Sequence, residues 1–350
     1  MNKKKYIIIF SSLIFCLIVV VVAFFVIKPY AKDKDNKKSK ELLEYEEIFK
    51  LDLNKKKTEY TIKKLKNDKL SKVEIPDTID GIPVTRLEDD SDDFSSFENV
   101  SEIVIGKNIN FIGSKVEKAI FLNAKGLSKI TVDEENKTFE SVEGVLYSED
   151  LTTLLCYPFS KAFNLEMGIV EIVIPNHVVT IGRYSFYGNP YIEKITFGEN
   201  VKNVELKAFS KCAKLNDVTL NNKLESLASN AFSDCDIDSI VLPASMKSIG
   251  TGCFSYNLNF SKITFNSVVE IGDNSFTGTV TRHSNPGEKY TFNIYAPEAM
   301  KEIFNDFTKV KNMGIESIVS SSEKDPNTGN INTIPASGSV IFNGEKINYE

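Results

Sequence analysis

The sequence predicts a mainly β repeat solenoid. Its coils are about 23 residues long, stack a parallel sheet on one face, and follow one N-terminal transmembrane helix. Three observations predict it. Segments starting at Ile172, Ile195, Val218, Ile240 and Ile263 repeat one pattern at spacings of 23, 23, 22 and 23 residues. Each segment carries a phenylalanine at a matching place: Phe186, Phe209, Phe232, Phe254 and Phe276. The chain also opens with an uncharged run of 22 residues, Tyr6 to Ile27.

That opening run is long enough to cross a bilayer as a helix. Lys3, Lys4 and Lys5 precede it and Lys28 follows it. A cleavable signal would have a shorter apolar core and a small-x-small exit. The exit here, VIKPYAKD, fits that poorly, and Cys16 follows Phe15 rather than the small residue of a lipoprotein signal. Residues 6–27 therefore read as an uncleaved signal anchor in the lipid bilayer, residues 1–5 as its short flank, and residues 28–48 as a charged stalk, helical in part. Residues 1–72 sum to +9, which leaves −15 on residues 73–350 against −6 for the whole chain. A basic stalk suits anionic headgroups or simple solvation. A repeat region this acidic makes a poor nucleic-acid ligand.

Residues 49–319 read as the solenoid. Each coil begins with a period-2 pair, such as Ile172/Ile174 or Ile240/Leu242, the mark of a short strand with one buried face. Val178, Val201, Leu224 and Met246 recur six places on, and Ile181, Val204, Leu227 and Ile249 three further. One 23-residue unit cannot bury such a set, whereas stacked coils can, at about 4.8 Å per rung. The phenylalanines then form a spine opposite the sheet. Weaker units start at Val73, Ile103 and Ile130, for about ten coils in all. The last of these holds extra strands at Val145–Tyr147 and Thr153–Tyr157 around a turn near Glu149–Asp150.

The ends need caps. KLDLNKKKTEYTIKKL reads as a hairpin over the first coil. TFNIYAP (291–297) adds a strand, and PEAMKEIFNDFTKVKNMG places Met300, Phe304, Phe307 and Val310 on one helical face over the last coil. Residues 320–336 are polar and are expected to be disordered. SVIFNGEKINYE reads as a hairpin around Asn343–Gly344, as the start of a further module. It resembles the opening of the stalk module of copper-amine-oxidase type appended to some bacterial surface proteins.

The consensus I-x-I-P-x-x-V-x-x-I-G-x-x-x-F-x-x-(C/N)-x-x-L resembles the BspA-type leucine-rich repeats of bacterial surface proteins. The match is clearest over 172–276 and extends loosely to EIPDTIDGIPVTRL and ESVEGVLYSEDLTTLLCYP, where Glu143 stands in place of the family's Asp. The resemblance implies leucine-rich-repeat coils, surface exposure and adhesion to protein or matrix, with no catalytic residues. Lysine counts alone would put the C-terminal side inside, but large domains translocate largely regardless of flanking charge. The resemblance sets the expectation: a single-pass protein of the cell membrane, cytoplasmic at residues 1–5, with an extracytoplasmic repeat domain.

No residue pattern points to catalysis, a cofactor or a metal. Cys212 and Cys235 occupy the place held by Asn189 and Asn257 in neighbouring units. Both residue types can hydrogen-bond to turn backbone, which favours buried thiols. A disulfide is within reach at about 5 Å between stacked Cα atoms, but in-register side chains suit its torsion poorly. Cys253 takes the small-residue place of Ala208 and Ala231. His177 and His283 sit in loops without ligand partners. The acidic run Glu88 to Phe94 lacks calcium-loop spacing and reads as an exposed loop. The N-x-S/T triplets at Asn99, Asn136 and Asn259 carry little weight.

The candidate binding face is the outward side of the sheet. One row is Val173, Thr196, Thr219, Val241 and Thr264. The row one place earlier is Glu171, Lys194, Asp217, Ser239 and Lys262. Its charges alternate in sign, so it can serve strand pairing as well as a ligand. Neither row holds an aromatic, and Tyr184, Tyr187 and Tyr191 beside the phenylalanine column make a rival patch. The expected function is a non-catalytic binding module for a protein or matrix ligand, with a structural envelope scaffold or spacer as the alternative.

Overall fold

The fold is given by a computed structural model that describes residues 38–88, 95–113, 121–122, 124–162, 170–278, 291–315, 320–324, 331–335 and 339–347. The proposed anchor at residues 6–27 and its flanks, with Cys16, lie outside the described residues. So do His283 and most of the acidic run. The chain divides into units Met1–Ser39 and Lys40–Glu350, and the second of these holds the repeats.

The period-2 pairs form the expected strands. They stack in parallel as three short sheets along one face: Lys72–Glu74, Glu102–Ile105 and Lys129–Val132; then Glu171–Val173, Lys194–Thr196 and Asp217–Thr219; then Ser239–Leu242, Lys262–Phe265 and Thr291–Tyr295. A second ladder of two-residue strands runs beside them: Thr180–Ile181, Asn203–Val204, Ser226–Leu227, Ser248–Ile249 and Glu270–Ile271. In-register stacking matches like with like, Ile172 beside Ile195 beside Val218. The solenoid has about eight turns, fewer than the ten that the weak upstream units suggest.

The phenylalanine spine stacks as the spacing requires. Phe186, Phe209, Phe232, Phe254 and Phe276 are each fully buried. Successive ring centroids lie 4.8, 4.9, 5.9 and 6.1 Å apart, with interplanar angles of 16°, 5°, 6° and 4°. The rings are almost parallel because each rides on one rung of the same backbone. Tyr157 stacks on the upstream end at 5.0 Å and Phe292 closes the downstream end at 5.5 Å, tilted by 53°. The chain wraps around each ring with left-handed residues two places before and two after. These are Lys207 and Lys211 around Phe209, Asn230 and Asp234 around Phe232, and Gly252 and Tyr256 around Phe254.

Both caps differ in part from expectation. The hairpin Phe49–Leu53/Tyr60–Leu65 forms, but the folded unit begins earlier than residue 49. The helix Lys40–Ile48 sets Leu42, Tyr45 and Ile48 against the first core, and Glu41 accepts the Asp80 N–H at 3.1 Å. At the other end, the single expected helix is a 3-10 turn Glu298–Met300 and two short helices, Lys301–Asn305 and Phe307–Asn312. Asp306 breaks it. Its backbone is extended and its carboxylate caps the next helix, accepting from Thr308 and Lys309 N–H. The segment expected to be disordered contains an antiparallel pair, Ser320–Lys324 and Ile331–Pro335. The closing hairpin forms around Asn343–Gly344, both left-handed. Its first strand joins the third sheet of the solenoid. Ser339–Phe342 pairs in parallel with Thr291–Tyr295, Phe342 is buried, and Asn343 bonds to both backbone groups of Ala296 at 3.0 and 2.9 Å.

Candidate binding face

The structure sets all ten expected residues on the outward side of the open sheet. The first row pairs Glu171 with Lys194 with Asp217. Lys194 Nζ lies 3.6 Å from Glu171 and 3.5 Å from Asp217, and Thr196 donates its hydroxyl to Glu171 at 3.1 Å. These charges neutralise one another along the stack. Lys129 pairs with Glu102 across the upstream rungs at 3.1 Å in the same way, a continuation of the row that the weak repeats concealed. Ser239 and Lys262 carry it onto the third sheet.

The second row is the more exposed. Val173 and Val241 keep 63% and 59% of their surface in solvent. Thr196 and Thr219 lie in register with Val173, and Thr264 with Val241. The next rung adds an aromatic that the five-unit pattern does not reach: Tyr295 pairs with Thr264 and is 40% exposed. Lys262 Nζ sits 5.2 Å from its ring centroid, a cation–π contact worth about 0.5–1 kcal/mol at an exposed site.

The two rows are not continuous. Among the described residues, Asp217–Thr219 and Ser239–Leu242 share no ladder pairing, although the second ladder runs on unbroken between Ser226–Leu227 and Ser248–Ile249. A groove of about 790 Å³ opens there. Val218, Leu220 and Ile240 line it together with Asp217, Asp236 and Asp238.

The remaining candidates resolve as packing. Cys212 and Cys235 are buried free thiols. Each donates its S–H to the carbonyl of the preceding spine residue, Phe186 and Phe209, at 3.2 Å. Asn189 and Asn257 make the equivalent bond to Phe159 at 3.2 Å and Phe232 at 2.6 Å. The column is one device that closes a turn on each rung. Burial pushes the Cys212 and Cys156 thiols up to about 12, and Cys235 and Cys253 up as well, far from a nucleophile's range. His177 is exposed with its ring edge-on to Tyr147 at 5.6 Å. Among the described residues no group of three or more His, Cys, Asp and Glu is placed to hold a metal.

Glu88 departs from its sequence reading, and Asn136 has a structural role beyond its triplet. Glu88 opens the acidic run yet is buried, 3.2 Å from Lys63 Nζ. Asn136 heads an N-x-T triplet yet is buried, donating to the Gly106 and Ile109 carbonyls and accepting from Thr138 and Phe139 N–H. The DEEN turn before a strand resembles the NN turn at Asn221, which donates to Gly198 and Val201, and that likeness was the available signal. In the rival patch, Tyr184 and Tyr187 meet edge to face at 5.6 Å, under Lys207 and Lys211 at 5.8 Å each.

Comparison with known proteins agrees with this geometry. Residues 158–281 and 228–334, just over half of the chain, match six copies of the family described as BspA type leucine rich repeat region. No curated protein matches the sequence. Similar solved structures include the pneumococcal vaccine antigen PcpA, 18% identical with a TM-score of 0.48 over 67% of this chain and 65% of that one. A leucine-rich cell surface protein from Faecalibacterium prausnitzii is 13% identical, with a TM-score of 0.43 over 82% and 98%. The leucine-rich-repeat protein TpLRR of T. pallidum is 18% identical, with a TM-score of 0.34 over 77% and 94%.

Proposed function

Because this chain belongs to the BspA-type leucine-rich-repeat family, we propose that its solenoid is a non-catalytic binding module for a protein or matrix ligand. Residues 6–27 would tether it to the cell membrane and hold the repeats on the outer side. The observation that carries the reading is the outward column in which Val173, Thr219, Val241 and Tyr295 are exposed and Thr196 and Thr264 half-buried. It supplies β-branched and aromatic surface on the outward side of the sheets, where Val173 and Val241 are its most exposed hydrophobic residues. Interface energy concentrates on aromatic and arginine anchors, so Tyr295 would be the anchor, and the valines and threonines would add pre-ordered contact surface around it.

The test pairs topology with capture. Protease applied to intact cells should remove the repeats, and the chain should retain an envelope, host or matrix protein that a V173D/Y295D variant releases. Full protection of the repeats would reverse the proposed side of the membrane. Equal capture by chain and variant would remove the column from the binding role. The self-paired row Glu171, Lys194 and Asp217 favours a second reading, a structural scaffold or spacer. That reading expects altered cell shape on deletion with no loss of attachment.

A further inference from the structure

The break in the open sheet has a local cause. The coil from Val218 to Ser239 is the one 22-residue unit among the four regular spacings. Six residues separate Cys212 from Val218 and Asn257 from Ile263, but five separate Cys235 from Ile240. Cys212 also leads Leu215 by three places where Cys235 leads Ile237 by two, so the missing residue falls between Cys235 and Ile237. The chain therefore enters Ser239–Leu242 one residue early.

The backbone shows the consequence. In the rungs before the break, Ile174 N–H reaches Thr196 O at 2.8 Å and Phe197 N–H reaches Thr219 O at 2.9 Å. Lys194 N–H reaches Val170 O at 3.1 Å and Asp217 N–H reaches Glu193 O at 3.2 Å. Among the described residues, the corresponding bonds from Leu220 to Val241 and from Ser239 to Asn216 are not made. Asp236 N–H still holds Leu215 O at 3.0 Å, so the coils stay joined below the gap. Among the described residues, Asp217–Thr219 pairs only with Lys194–Thr196, and Ser239–Leu242 only with Lys262–Phe265, so each keeps one edge without a strand partner. Val218 and Leu220, whose counterparts Ile195 and Phe197 are buried, remain partly exposed as the groove's apolar floor.

The charges that line the groove itself have one sign, with Lys194 and Lys262 on the neighbouring strands. The groove is lined by Asp217, Asp236 and Asp238, and by no lysine or arginine. Lys194 already serves Asp217. Asp236 and Asp238 have neutral donors, Asn259 at 2.6 Å and the Ser239 hydroxyl at 2.9 Å. A free strand edge recruits an extended backbone, and flanking side chains set its specificity.

We propose that this groove binds an extended, lysine- or arginine-bearing segment of a partner protein, which adds its backbone to the free strand edges and sets its cations against Asp236 and Asp238. The proposal rests on the binding-module reading and gives it a second site beside the column, whose Thr219 and Val241 also border the groove.

The probes are labelled eight-residue peptides that alternate lysine with valine, glutamate with valine, and lysine with proline, titrated against the full-length chain in detergent by fluorescence anisotropy. The lysine–valine peptide should bind at least about tenfold tighter than the other two. D236N/D238N should cost it about tenfold or more, and V173D/Y295D should not matter. Hydrogen exchange supplies the check that needs no variant. The Leu220 and Ser239 amides should exchange fast in the free chain and slow on adding the peptide. Amides already protected in the free chain would show the strands closed and overturn the proposal. Binding indifferent to peptide charge, to proline or to D236N/D238N, or absent altogether, would overturn it too. If a natural ligand still binds through the column, the module reading survives that failure.

Discussion

Phe232 and Cys235 sit three residues apart in one turn, and their energetics differ in kind. Phe232 fills the spine between Phe209 and Phe254. Its replacement by alanine leaves a cavity between two parallel rings that the backbone holds apart, so F232A should cost about 3–5 kcal/mol in chemical denaturation. Cys235 closes a turn through a weak thiol donor shared between the Phe209 and Ser233 carbonyls. C212N/C235N copies what Asn189 and Asn257 already do and should stay within about 1 kcal/mol of the parent. The thiols leave a pH signature. Their folded-state pKa values are raised, so their stabilisation is complete below the ordinary value of 9.0. It is lost as pH climbs towards 12, by about 1.4 kcal/mol per pH unit for each thiol. Between pH about 8 and about 10.5, C212N/C235N should therefore lose less stability than the parent chain, as denaturation midpoints would show. An equal loss would mean that the thiolates are tolerated in the core.

Ladders and caps are set by repetition, and their energies are small per rung and additive. Lys194 bridges Glu171 and Asp217 at the solvent edge, where ion pairs are worth about 0–1 kcal/mol. K194A should therefore cost under about 1 kcal/mol, and less still in high salt. A larger, salt-independent loss would assign Lys194 a packing role. The same repetition explains what could be read from sequence. The strand pairs, the phenylalanine spine, the asparagine–cysteine column and the hairpins at residues 49–65, 145–156 and 339–347 all follow from period and turn chemistry alone. The helix break at Asp306 did not show, because its apolar face continues in phase through Phe304 and Val310 while a side-chain cap decides the backbone. Tyr295 was recognisable as strand but not as a member of the exposed column. The interval before it, 31 residues from Ile263 to Ile294, hides the register. The 22-residue spacing was visible, but its effect depends on which side of the coil loses the residue. Buried Glu88 needed Lys63 from another strand of the cap.

At the scale of the molecule, the solenoid has two cores with a shared wall. One runs from Phe49 to Cys156 and the other from Val145 to Phe342. They overlap at the hairpin Val145–Ser148/Thr153–Cys156, whose side chains are shared between them. Val145, Tyr147 and Leu154 face the downstream core, while Leu146 and Cys156 face the upstream one. Along Val145–Tyr147, period-2 alternation, which elsewhere separates core from solvent, separates core from core, and the partner strand changes sides between Leu154 and Leu155, where the pairing register shifts. A stacked repeat couples each coil mainly to its neighbours, so damage should spread to one side of this wall. Hydrogen exchange of L146A should rise first in Lys72–Glu74, Glu102–Ile105 and Lys129–Val132. That of L154A should rise first in Thr180–Ile181, Asn203–Val204 and Glu171–Val173. Each substitution removes a buried leucine and should cost about 2–5 kcal/mol, enough to bring sub-global opening into range. If both variants loosened the same rungs, the hairpin would be the centre of one cooperative core, and the chain would unfold as a block.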